Sequence, residues 1–138
     1  MALSEDISIM PWSPLAGGFL SGKYTRDNAI AGDSRRDSFD FPPINKEKAY
    51  DIIDVMAGIA KQYNVSVATV ALNWVIKQPG ITSTIIGAKS LEQLNDNVKA
   101  VNLELTHLEM KHLNEASALA PEYPGWMVNR QLQGRWPE

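Results

Sequence analysis

Pro11-Trp12-Ser13-Pro14-Leu15-Ala16-Gly17-Gly18-Phe19-Leu20-Ser21-Gly22-Lys23-Tyr24 is the stretch of this chain best equipped for chemistry. It offers an aromatic ring, then small residues whose backbone amides nothing bulky screens, then a cation. That order suits a flat ring attached to a phosphate, with the ring on Trp12 and the anion toward N–H groups. On the residues alone, however, Trp12 reads as apolar filler before it reads as a stacking platform.

Within it, Gly17-x4-Gly22-Lys23 has the spacing of a phosphate-binding P-loop. The match fails at its last position, where Tyr24 stands in place of the magnesium-ligating hydroxyl. Thr25-Arg26-Asp27-Asn28 then leads into a loop instead of a helix. A second glycine turn, Gly87-Ala88-Lys89-Ser90, opens a helix and so combines outward amides, a helix dipole and a formal charge. An ordinary strand-to-helix turn would have the same residues. Gln93 and Asn97, four apart, share one face of that helix. They can bracket the polar edge of a base or a phosphate, or Gln93 can simply complete a capping box with Ser90.

Other polar groups carry less. Arg35-Arg36 is a candidate phosphate clamp or an exposed pair. His107 and His112 do not share a helix face, so no metal site is expected from them. Asp51 with Asp54, and Glu92 with Asp96, have surface spacing and read as solvated faces.

These groups need elements to hold them. Residues 7–10 read as a short strand ending at Pro11. Residues 25–44 form a loop of a length that is usually either a functional lid or disordered. Apolar residues at three- and four-residue steps predict a helix over 46–63, closed by Asn64. Ser66 caps a second helix, apolar on two sides, which Pro79-Gly80 ends. Residues 81–86 are the second strand candidate. Ser90 and Thr106 open helices through about 98 and 118, and residues 121–138 form an aperiodic tail. Two strands separated by helices imply an α/β fold with two parallel strands and flanking helices. Such strands normally have neighbours on both sides, so the chain reads as part of a larger architecture.

Composition sets the outer limits. The chain has 138 residues, 44% hydrophobic and 21% charged, which is ordinary for a folded domain. A net charge of −3 argues against nucleic acid as the partner. With no cysteine there is no disulfide, thiolate metal site or thiol nucleophile. No apolar run is long enough to span a membrane, and the cytoplasm is the expected compartment.

Taken whole, the stretch from Met10 to Tyr24 resembles the end of the seventh strand in aldo-keto reductases. The branch it is most similar to holds bacterial general-stress reductases and potassium-channel β subunits. Ile85-Ile86-Gly87-Ala88-Lys89-Ser90-Leu91-Glu92-Gln93-Leu94-Asn95-Asp96-Asn97 is similar to that branch's eighth strand and following helix. Val70-Ala71-Leu72-Asn73-Trp74-Val75 resembles the helix between them, and Tyr123-Pro124-Gly125-Trp126 the tail. The resemblance implies the C-terminal part of a TIM (β/α)8 barrel binding NADP(H) across the strand ends. It would place Trp12 on the nicotinamide ring and Ser13, Pro14, Leu15, Ala16 and Gly17 along the pyrophosphate, under a belt formed by Lys23 and Arg35. Gly87 and Lys89 would meet the adenosine 2′-phosphate with Gln93 in support, Asp96 and Asn97 the adenine end, and Trp126 the substrate rim.

The same resemblance exposes a departure. The family's catalytic Asp, Tyr, Lys and His come from earlier strands, and none of those motifs occurs in this sequence. The expectation is therefore a cofactor-binding part of an enzyme reducing a small carbonyl compound, inactive by itself for want of a proton donor. Two alternatives stand beside it: a non-catalytic nucleotide-binding or self-associating module, pairing through exposed strand edges, and the weaker ATP-binding reading.

Overall fold

Asn45, Ser66, Ser90 and Thr106 each start a helix by one device: a short side-chain oxygen accepts a backbone N–H three residues on. The computed structural model describes residues 2–27, 43–120 and 122–127. Among the described residues the four α-helices are α1 (Lys46–Tyr63), α2 (Val67–Ile76), α3 (Leu91–Val98) and α4 (His107–Ser117). Their limits fall where periodicity and caps placed them. Asn64 ends α1 in the left-handed region, at φ 51°, and returns its N–H to the Ala60 carbonyl. At α4 the capping box is complete, with Glu109 Oε2 accepting the Thr106 N–H at 2.7 Å.

The apolar faces are buried in two clusters. Met56, Ile59 and Ala60 of α1 meet Val70 and Ala71 of α2, with Leu103 and Leu113 closing the cluster. A second cluster joins the glycine-rich turn to α1: Phe19 stacks on Tyr24 at 4.7 Å and leans on Tyr50 at 5.5 Å, above Ala49 and Ile53. As expected from its two apolar sides, α2 lies between neighbours, packed on α1, on α3 and on the 3₁₀ turn Ala16–Ser21.

The expected α/β fragment of a TIM barrel, with two parallel strands, is not what the structure holds. Among the described residues there is no β-strand, only two isolated parallel bridges, Ile9 with Ile81 and Trp12 with Ile85. The direction of pairing is the expected one, but the ladder does not propagate. Ile9 N–H donates to Gly80 O, and Ile9 O accepts the Thr82 N–H, both at 3.1 Å. Pro11 next offers a carbonyl to Ile85 but has no N–H to return, and Ser13 turns into the left-handed region at φ 54°. Parallel strands are ordinarily covered on both faces; here Ile7, Met10 and Ile85 stand exposed.

Candidate functional site

The bridge between Trp12 and Ile85 fixes the geometry of the site. Because the two segments run parallel, the chain leaves both from the same end, one into Ser13–Gly17 and the other into Gly87–Lys89. The two glycine turns singled out in the sequence thus start side by side. Trp12 sits at that end with 64% of its surface exposed.

The first turn is tightly self-bonded. Ser13 Oγ accepts the Gly17 N–H at 3.1 Å and Ser13 O the Ala16 N–H at 2.9 Å, while Leu15 O accepts both Gly18 and Leu20. Four N–H groups that the sequence left open are therefore used inside the turn. Ser13, Ala16, Gly17 and Gly18 all take positive φ, a concentration of left-handed backbone that only a locally over-determined turn sustains. Pro14 and Leu15 are half-buried at its base. Gly22 closes the turn at φ 84°, and a Cβ there would stand 3.0 Å from Cβ of Val67, the first residue of α2. Lys23 is exposed, Tyr24 is buried beneath Phe19, and no helix follows over residues 24–27, so the helix that a P-loop requires is missing from the described segment.

The second turn is open. A Cβ on Gly87 would meet nothing within 4 Å. Lys89 and Gln93 are exposed, and Gln93 Oε1 accepts the Lys89 N–H at 2.8 Å, one residue earlier than a standard capping box would have it. Ser90 Oγ accepts the Gln93 N–H at 3.2 Å. Asn97 is the one buried residue of α3. Asp96, read from spacing as a solvated acid, is engaged: one carboxylate oxygen accepts the Ser66 hydroxyl and the other lies 3.2 Å from Lys99 Nζ. Trp126 is exposed in the tail. Arg35 lies outside the described residues, as does most of the predicted lid.

Two arrangements escaped sequence reasoning. Ser66, Thr69 and Asn73 form a polar stripe along α2 whose partners come from α3 and the segment after it. Their 0, +3, +7 spacing on an otherwise apolar helix was the available signal. Arg26 fans across Glu47, Asp51 and Asp54 of α1 and sits 5.7 Å from the Tyr50 ring centroid. Asp51 and Asp54, exposed as their spacing implied, are its partners, and Glu47 foremost, then Asp51, raise the guanidinium pKa still further by hydrogen bond and charge. Among the described residues no cluster of His, Cys, Asp and Glu could hold a metal, and no helix is long and apolar enough to cross a membrane.

Comparison with known proteins bears on the same residues. Residues 1–118 match the Aldo/keto reductase family. The chain is 36% identical over 109 residues to the uncharacterized oxidoreductase YrpG of Bacillus subtilis, covering 79% of this chain and 32% of that protein. It is 31% identical over 111 residues to the NADH-specific methylglyoxal reductase of Escherichia coli, covering 80% and 34%. Against the probable voltage-gated potassium channel subunit beta of Arabidopsis thaliana it is 32% identical over 127 residues, covering 88% and 38%. The chain spans about a third of the length of these relatives. On the extent of that match, this chain belongs to the aldo/keto reductase family.

Proposed function

We propose that this chain binds a nicotinamide nucleotide, NADP(H), for the reduction of a small carbonyl compound to an alcohol. The observation that carries the reading is the shared end of the two parallel segments, which starts both glycine turns beside an exposed tryptophan. Family membership supports the reaction class.

The residues present fit such a ligand. Trp12 offers an aromatic face to a flat ring. Phosphate charge meets Lys23 on one turn and Lys89 on the other, since the amides of Ala16, Gly17 and Gly18 are spent within their own turn. Gly87 leaves room for a close approach to the start of α3. Gln93 extends the polar surface into the first turn of α3, with Asn97 buried one turn on; Arg35 belongs to the phosphate belt and Trp126 to the substrate rim. When bound, the cofactor supplies the hydride; the reaction also needs a proton donor. Tyr24 and Tyr50 are buried in the core, Tyr63 is bonded to Glu109, and Tyr123 lies on the tail. Tyr24, Tyr50 and Tyr63 are thus engaged away from a substrate, and carbonyl reduction by this chain alone is not expected.

Calorimetric titration with NADPH tests the reading, with NADH and Mg-ATP as controls. NADH is the telling control, because one relative is named NADH-specific. Binding of NADPH with neither control matching it is expected; equal binding of NADH removes the 2′-phosphate role of Lys89. Binding of ATP alone overturns the proposal.

A second reading has its own observation. Ile7, Met10, Trp12 and Ile85 are exposed along the paired segments, and apolar surface of that kind favours association of two copies. Sedimentation at micromolar concentration is expected to show a species larger than the monomer, and a sharp monomer refutes it.

A further inference from the structure

We propose that Arg26 is a positioning residue that clips the segment leaving the first glycine turn onto the outer face of α1, and so fixes Lys23 at the edge of that turn. The clip itself stands on the ion pairs; its effect on ligand binding rests on the proposed nucleotide binding.

The segment starts from a fixed point, since Gly22 lies against Val67 of α2 at φ 84°. Two residues on, Tyr24 is buried and packs with Ala49, Tyr50 and Ile53 of α1. Two residues further, Arg26 meets α1 again, from outside. Its Nη1 donates to Glu47 Oε2 at 2.7 Å, its Nη2 donates to Asp51 Oδ1, and its Nε stands 3.5 Å from Asp54 Oδ2. Those acids recur at steps of four and three, one row along the helix. Each nitrogen of one planar fork thus faces a different carboxylate, an arrangement that lysine cannot copy. The guanidinium also lies 5.7 Å from the Tyr50 ring centroid, and Tyr50 carries Phe19, on which Tyr24 stacks. Tyr24 and Arg26 therefore grip α1 at neighbouring points. Lys23, exposed between Gly22 and Tyr24, is the cation that this grip leaves facing out.

The same contact works from the other side. Asn45 caps α1, with Oδ1 accepting the Lys48 N–H at 3.2 Å, so the chain enters α1 just before Glu47. The pair of Arg26 with Glu47, twenty-one residues apart in sequence, joins the two ends of the intervening stretch. Joining them removes conformations that the chain would otherwise lose on binding a ligand. Little of this shows as stability: the Glu47 and Asp51 side chains are 79% and 67% exposed, and exposed pairs are weak. Charge alone makes these acids a hindrance to an anionic ligand, which gives the proposal a sign to test.

The test uses Arg26→Ala, Arg26→Lys, the double variant Glu47→Ala/Asp51→Ala, Lys23→Ala and Lys23→Ala/Arg26→Ala, with two readouts. The initial rate of tryptic cleavage after Lys23, followed by mass spectrometry without nucleotide, is expected to rise in Arg26→Ala and in the acid double variant. NADPH affinity in calorimetry is expected to fall roughly two- to fivefold in both, the range of exposed ion pairs, and Arg26→Lys recovers part of the loss. In the Lys23→Ala background the Arg26→Ala loss shrinks, because the cation being positioned is gone. Direct contact between Arg26 and the nucleotide predicts the opposite sign for the acids: Glu47→Ala/Asp51→Ala frees the guanidinium, removes two negative charges and tightens binding. That result, or losses at Lys23 and Arg26 that simply add, overturns the proposal. Should the unaltered chain bind no nucleotide, the nucleotide reading falls. The clip is then decided by cleavage alone, and an unchanged rate after Lys23 overturns it.

Discussion

The helical scaffold and the paired segments are made of similar residues and end in opposite conditions. Leu113, Ile53 and Val70 on the helices are buried to 2% exposure or less, whereas Ile7, Met10 and Ile85 on the paired segments stay open. Each helix closes its own backbone bonds and needs only one face covered. A parallel pair closes bonds with whatever lies on either side, and its side chains point to two faces. Apolar content alone therefore does not make a core.

The sharpest way to break this contrast is to truncate one residue on each side. Leu113→Ala opens a cavity between α1, α2 and α4 and is expected to cost about 2–5 kcal/mol in chemical denaturation. Met10→Ala removes exposed surface and, in the monomer, is expected to stay within about 0.5 kcal/mol. A Met10→Ala cost approaching that of Leu113→Ala would mean that the paired segments are covered in solution, as the self-association reading requires, and the denaturation midpoint would then depend on concentration.

The two glycine turns sharpen the comparison on a smaller scale. Gly22→Ala forces a Cβ against Val67 from a left-handed backbone, for an expected loss of about 1–3 kcal/mol. Gly87→Ala enters open space and is expected to leave stability unchanged within about 0.5 kcal/mol while weakening NADPH. Equal destabilisation by both would dissolve the distinction between a turn kept for packing and a turn kept for a ligand.

What was legible in the sequence divides along the same line. The limits of α1, the Ser66 cap and the Thr106–Glu109 box were read correctly because their partners lie within four residues. The two glycine turns were found because glycine and lysine after an apolar run are rare enough to stand out. The strands were not, since an apolar run ending at Pro11 shows nothing of whether a ladder will find neighbours. Nor were the partners of Thr69 and Asn73, which bond to carbonyls twenty-seven and thirty residues away. A carbonyl leaves no mark on sequence, so the stripe showed itself only as three polar residues on one helix face. Asp96 misled for the same reason: spacing made it a surface acid, and its partner sits on another helix.

The smallest expected effect tests whether local capping continues into tertiary structure. Burial alone would push the Glu109 carboxyl up. The N–H and hydroxyl of Thr106, the Tyr63 hydroxyl at 2.9 Å and the charge of His112 together outweigh it and hold the group below its ordinary value. A carboxyl depressed in the folded state contributes stability that is present above its unfolded value, near 4.3, and lost as pH falls through the folded one. Tyr63 is displaced the other way: its bond to Glu109, then burial, raise the phenol, so the matching loss lies at alkaline pH. Between pH 6 and pH 3 the chain should lose slightly more stability than Glu109→Gln, by under about 1 kcal/mol given the partial exposure of the site. The other carboxylates titrate in both proteins and cancel in the difference. Tyr63→Phe, which removes only the bond from α1, should narrow that difference; a difference that Tyr63→Phe leaves unchanged would confine Glu109 to capping its own helix, whereas a narrowed one makes the Thr106 box also the joint between α1 and α4.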